Sequence, residues 1–171
     1  MGKFIIKPKE IYNIIKQLKP SKASGADKIN NKIIKNLPKK AVIFLCIIFN
    51  CCIRQEYFPS CWKSSLVVPI GKPNKDPFNP KSYRPIHLLN SISKIFEKAI
   101  LMRINEHIEN NNVIPNVQFG FRRGHSTCHQ LFRLASEIKD NLYNKKSVGI
   151  VSLDIEKAFD TVWHKALLFK R

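Results

Sequence analysis

Two short β-branched runs, "SSLVVPI" at 64 to 70 and "YRPIHLL" at 83 to 89, each carry a proline, Pro69 and Pro85. Proline has no N–H to give to a ladder, so such strands sit at sheet edges or end in bulges, and any sheet they form is small. The segment between them, "GKPNKDPFNPKS", is dense in Gly, Pro, Asn and Lys, which predicts an antiparallel pair joined by a long basic tip. Elsewhere the periodicity is mostly helical. Ile11, Ile14, Ile15 and Leu18 predict a helix over about residues 8 to 19, stopped by Pro20. Ile29, Ile33, Ile34 and Leu37 predict a second, which Pro38 closes while opening a third. That third, "AVIFLCIIFNCCI" at 41 to 53, reads as a buried helix: its thirteen residues fall short of the ~20 that span a bilayer, and Asn50 lies inside it. A long helix follows from Ile92 to Ile108 and ends in "ENNNVIP". Thr127 and Gln130 have the form of a capping box ahead of a helix whose face is Leu131, Leu134, Ala135, Ile138 and Leu142. The fold class is α+β, helix-rich with a small antiparallel hairpin.

Thirty Lys and Arg against twelve Asp and Glu give a formal charge of +18, which repels itself unless a polyanion lies nearby. Nucleic acid is the leading partner. An anionic membrane ranks second, because the basic residues are spread along the chain and do not gather on one amphipathic helix. Ile6 stands where a myristoylation signal after Gly2 wants Ser or Thr, and no secretory pattern follows, so an intracellular protein is expected, in cytoplasm or nucleus. Five cysteines with no Cys-x-x-Cys spacing read as reduced thiols. His125 and His129 flank Cys128, but the remaining ligands of a zinc site are missing.

The run "VGIVSL" at 148 to 153 is continuously apolar, as for a strand buried on both faces, with Asp154 at its end. Phe159, Val162, Trp163, Ala166 and Leu167 then mark a helix. A carboxylate at the end of a buried strand can hold a divalent cation at a cleft mouth. Asp160, six residues on, falls in the first helical turn, where the macrodipole already favours an acid, and is read as structural. For Asp154, spacing alone leaves cation binding and strand-end punctuation both open.

Taken together, "KPSKASGADKI", "YRPIHLLNSISKIFEKAILMRINEHI", "VIPNVQFGFRRGHST" and "VGIVSLDIEKAFDTVWHKALL" occur in an order and at a spacing that resemble the reverse transcriptases of non-LTR retrotransposons, the jockey-like group in particular. The resemblance covers nearly the whole chain. It implies a right-hand polymerase fragment, with a fingers-like region over 1–146 and the first palm strand and helix over 147–171. The implied activity is RNA-directed DNA polymerisation, with Mg²⁺ as cofactor and an RNA template, a DNA primer and deoxynucleoside triphosphates as partners. By the same resemblance Asp154 is a catalytic metal ligand and the backbone carbonyl of Ile155 also faces the metal. Lys72 and Arg84 grip the triphosphate, Phe159 gates the sugar, and Gln118 and Arg122 lie near the template, beside Phe119 and Phe121, which can stack on bases. Phe159 also fits a core position on the 159-162-163-166 face.

Three departures stand out. "SGADK" replaces the family's "PGPDG", His87 replaces a small hydroxyl residue, and nothing resembles the "YADD" hairpin that supplies the other carboxylates. One carboxylate does not assemble a two-metal site, so the chain alone is expected not to polymerise. The alternative reading is a non-enzymatic, basic nucleic-acid-binding remnant.

Overall fold

The computed structural model describes residues 5–155, 158 and 160–169. It divides into two compact units, Met1–Ile114 and Pro115–Arg171.

In the first unit, α1 (Pro8–Lys16) opens with Pro8 in its first turn, and the Glu10 carboxylate accepts the Lys7 backbone N–H at 2.7 Å. Its buried stripe is Ile11, Ile14 and Ile15. Asn30 caps α2 (Asn31–Lys35) by accepting from the Ile33 N–H at 3.0 Å. The apolar run forms α3 (Lys39–Arg54), followed by a single turn, α4 (Ser60–Lys63). The hairpin is β1 (Ser65–Gly71) and β2 (Tyr83–Leu89), paired antiparallel, with a 3₁₀ turn at Pro80–Ser82 leading into β2. The long helix is α5 (Ser91–Asn110).

The core lies where α1, α3 and α5 meet, built from Ile11, Ile14, Val42, Phe49, Ile95 and Phe96 among others. Phe49, Phe58, Trp62 and Phe96 make an aromatic cluster with ring centroids 4.9 to 5.9 Å apart. Such pairs add about 0.5–1.5 kcal/mol each beyond the area they bury. Asn50 pins the segment before α1 onto α3: its side chain accepts from the Ile6 N–H at 2.8 Å and donates to the Ile6 carbonyl at 2.9 Å. Arg103 of α5 reaches Glu10 of α1 in an ion pair.

The expectation of a fully buried third helix is corrected. Val42, Cys46, Phe49 and Cys52 of α3 face the core, but Ile43, Phe44, Ile47 and Ile48 are exposed. An all-round apolar helix needs neighbours on every side, and α1 and the aromatic cluster cover one face only.

The second unit carries α6 (Thr127–Tyr143) and α7 (His164–Phe169). The cap of α6 is Ser126 and not Thr127: its hydroxyl accepts from the His129 N–H at 3.3 Å, and its own backbone is extended, as a capping residue requires. No strand forms over 148–153. Among the described residues no neighbour pairs with that run, and Val151 and Leu153 stand 84% and 90% exposed. A ladder needs a second strand, and apolar content alone does not supply one. Asp160 lies in a turn ahead of α7, so it is not helical. No helix among the described residues is long and apolar enough to cross a membrane.

Candidate nucleic-acid interface

The hairpin register sets the first group of site residues. Lys72 continues the ladder past β1 by donating its backbone N–H to the Ser82 carbonyl at 2.7 Å. Positions 72/82, 70/84, 68/86 and 66/88 are therefore the hydrogen-bonded pairs, and Pro69 opposite Pro85 is a non-hydrogen-bonded one. The missing proline N–H groups point away from the partner strand, so the ladder loses nothing. Residues directly opposite share a face, and so do residues two apart. Arg84, opposite Ile70, thus stands on the same face as Lys72, one pair nearer the base of the hairpin.

The tip between them is held by its own hydrogen bonds. Asp76 Oδ1 accepts from Phe78 N and Asn79 Oδ1 from Lys81 N, both at 3.0 Å, while the Tyr83 hydroxyl donates to the Pro77 carbonyl at 2.9 Å. Lys72 is half-buried and its ammonium donates to the Lys81 carbonyl at 2.7 Å, leaving two donors over. Arg84 is exposed, and its guanidinium has no hydrogen bond or ion pair among the described residues. From 72 to 84 the chain has Lys72, Lys75, Lys81 and Arg84 against Asp76 alone. Such a surface attracts a compact anion.

The second group sits in the loop before α6. The Gln118 N–H donates to the Pro115 carbonyl at 3.0 Å. Arg122 reaches back to the same carbonyl at 3.3 Å and to Asn116 Oδ1 at 3.5 Å, which closes the loop on itself. Phe119 lies 5.0 Å from the His125 ring, edge to face, with the Arg133 guanidinium 5.9 Å from its centroid. The His125 Nδ1–H donates to the Arg123 carbonyl at 3.0 Å. Spacing did not point to Arg133, because its contact with Phe119 joins a loop to the second turn of a helix and leaves no periodic trace.

Asp154 and Ile155 are exposed in an irregular segment of the same unit, and Phe159 lies outside the described residues. Among the described residues no group of three or more His, Cys, Asp or Glu could hold a metal ion. Two-metal phosphoryl chemistry needs at least two convergent carboxylates. The described residues therefore do not fit a magnesium centre on their own. The structure brings Lys72 together with Arg84, and Gln118 together with Arg122, but among the described residues it gathers no partner carboxylate at Asp154.

The family model described as reverse transcriptase (RNA-dependent DNA polymerase) matches residues 70–171, more than half the chain, and the chain belongs to that family. It is 40% identical over 165 residues, 96% of its length, to a probable RNA-directed DNA polymerase from transposon BS of Drosophila melanogaster. It is 42% identical over 163 residues to a probable RNA-directed DNA polymerase from the X-element of the same fly, and 42% over 161 residues to the RNA-directed DNA polymerase from mobile element jockey of Drosophila funebris. The jockey-like kinship expected from the motifs is therefore shown. The chain spans 18% of the length of each of these three relatives.

Proposed function

We propose that this chain supplies the nucleotide- and template-facing part of an RNA-directed DNA polymerase, with fingers up to about residue 146 and the start of a palm from 147. Lys72 and Arg84 contact the triphosphate of an incoming deoxynucleotide, one as a point charge and the other as a planar fork. Gln118 and Arg122 border the RNA template and DNA primer, and Phe159 gates the sugar. Asp154 and the Ile155 carbonyl are the chain's contribution to a Mg²⁺ site whose other carboxylates come from elsewhere. The observation that carries this reading is the shared face of Lys72 and Arg84 within a stretch matched continuously by the family.

The test is titration of the 171-residue chain with a fluorescent RNA–DNA primer-template at two salt concentrations, with and without Mg²⁺ and the matched deoxynucleotide. The reading requires that nucleotide tighten binding and that Lys72→Ala and Arg84→Ala abolish the tightening. The chain alone should not extend the primer. Extension that disappears in Asp154→Ala would refute that expectation.

The +18 charge and the absence of a ligand set at Asp154 among the described residues favour a second reading, a basic nucleic-acid binder without catalysis. It calls for salt-sensitive affinity that ignores nucleotide and is unchanged in Asp154→Ala.

A further inference from the structure

Ser126 and Ser136 alone among the serines and threonines of the chain have a basic residue three positions upstream, Arg123 and Arg133 in turn. Arginine-directed protein kinases read that spacing: an acidic cleft pairs the guanidinium while the substrate lies extended, which brings the hydroxyl to the phosphoryl donor. The fold separates the two serines. Ser136 is half-buried within α6, its backbone committed to the helix, and Glu137 follows it with Asp140 one turn on. A phosphate there would meet like charge. Ser126 is exposed on an extended backbone, φ −141° and ψ 163°, and Arg122 adds a second guanidinium next to Arg123. The Arg123 side chain is exposed and makes no hydrogen bond or ion pair among the described residues. None of the described residues after Ala99 is buried, so this segment can be drawn into a cleft without opening a core.

The helix end also suits the product. The Ser126 hydroxyl accepts from the His129 N–H at 3.3 Å, and the first turn of α6 has no acid to complement its dipole. A phosphoserine carries about −1.5 to −2 charge at pH 7 and three acceptor oxygens. At Ser126 it would take over the cap, where a helix N-terminus favours negative charge. From 115 to 133 the chain has Arg122, Arg123 and Arg133 and no acid, so the same charge would offset the cations of the loop.

We propose that Ser126 is a phosphorylation site for an arginine-directed protein kinase, and that its phosphate lowers the affinity of this loop for nucleic acid. In the transfer the Ser126 Oγ attacks the γ-phosphorus of ATP, the bond from that phosphorus to the β,γ-bridging oxygen breaks, ADP leaves, and the hydroxyl proton passes to the base of the kinase. The site stands on the spacing and the backbone, whereas the effect on affinity rests on the template reading of Gln118 and Arg122.

The full chain, Ser126→Ala, Ser136→Ala and Arg123→Ala are incubated with calcium/calmodulin-dependent protein kinase II and radiolabelled ATP, and the labelled residue is mapped. Label should fall on Ser126, vanish in Ser126→Ala, persist in Ser136→Ala, and form roughly 10-fold or more slowly in Arg123→Ala, which keeps both the hydroxyl and the cap. The phosphorylated chain, before and after phosphatase treatment, is then titrated with the RNA–DNA primer-template at two salt concentrations. Phosphorylation should weaken binding at the lower salt by roughly 10-fold and make the dependence on salt shallower by about 1 to 2 in slope, and phosphatase should restore both. No label, label that survives Ser126→Ala, or label indifferent to Arg123→Ala overturns the site. A phosphorylated chain that binds as the parent overturns the regulation, and nucleotide-dependent tightening that persists in that case leaves the polymerase reading standing. A parent chain that binds no primer-template removes the polymerase reading and the regulation together, while the labelling still decides the site.

Discussion

Lys28 and Gly25 show how single positions support the hairpin. "SGADK" puts a lysine where the motif it resembles has a turn glycine, and Lys28 has the left-handed backbone of such a turn, φ 58°. A lysine in that conformation is strained, and Lys28→Gly should stabilise the protein by about 0.5–1 kcal/mol, read as a higher urea midpoint. Gly25 is the opposite case. A Cβ there would lie 2.6 Å from Asn90 N and 2.8 Å from the Leu89 carbonyl carbon, where β2 gives way to α5. Backbone cannot yield as a flexible side chain can, so Gly25→Ala should cost about 1–3 kcal/mol and loosen the base of the hairpin. The sequence exposed the departure from the motif, but which glycine bears close packing and which bears turn geometry needed the fold.

The buried Cys46 is a second prediction at this scale. Burial pushes its thiol up from the usual 9.0, Asn50 opposes this by hydrogen bonding, and the negative charge of Glu10 adds to it. The folded chain thus holds a proton that the unfolded chain releases as pH rises past about 9. With fewer protons bound in the unfolded state, stability is full below that pH and falls above it. Urea midpoints between pH 8 and 10 should decline less in Cys46→Ala than in the parent. Parallel slopes would mean that Cys46 does not titrate differentially.

At the scale of elements, the hairpin was legible because its prolines and turn residues act locally, and its limits match the β-branched runs to within a residue. What the runs could not give was the phase of the ladder. Val68 pairs with Ile86 at a hydrogen-bonded position, whereas Pro69 faces Pro85 across a non-bonded one. Val68→Pro should therefore remove a ladder bond, separate Lys72 from Arg84, and abolish nucleotide-dependent tightening. Pro69→Val should leave that tightening intact, since it only restores an outward N–H. Equal damage from both would show that the hairpin is not the nucleotide contact. Helix α3 marks the limit of periodic reading: its composition announces a core helix, yet which faces are covered depends on neighbours that no window of sequence contains.

For the whole molecule, cover is unevenly distributed. Every described core residue lies between Ile6 and Ala99, and none of the described residues after Ala99 is buried. The apolar patterns at 131–142 and 148–153 were readable as faces meant for burial, but a pattern states only that a face is apolar and not what covers it. Phe132 is 75% exposed and Leu153 90%. Local stability follows burial, so the two units should open with very different free energies. In amide hydrogen exchange, the backbone of α1, α3 and the first half of α5 should be the slowest. Amides of 115–155, including the hydrogen-bonded ones of α6, should exchange orders of magnitude faster. Ligand binding stabilises whatever it holds folded. A saturating RNA–DNA primer-template should therefore slow exchange across 115–143 if that loop and helix carry the template, and leave the core amides unchanged. Slowing confined to 65–89 would place the nucleic acid on the hairpin alone and remove the template role from Gln118 and Arg122.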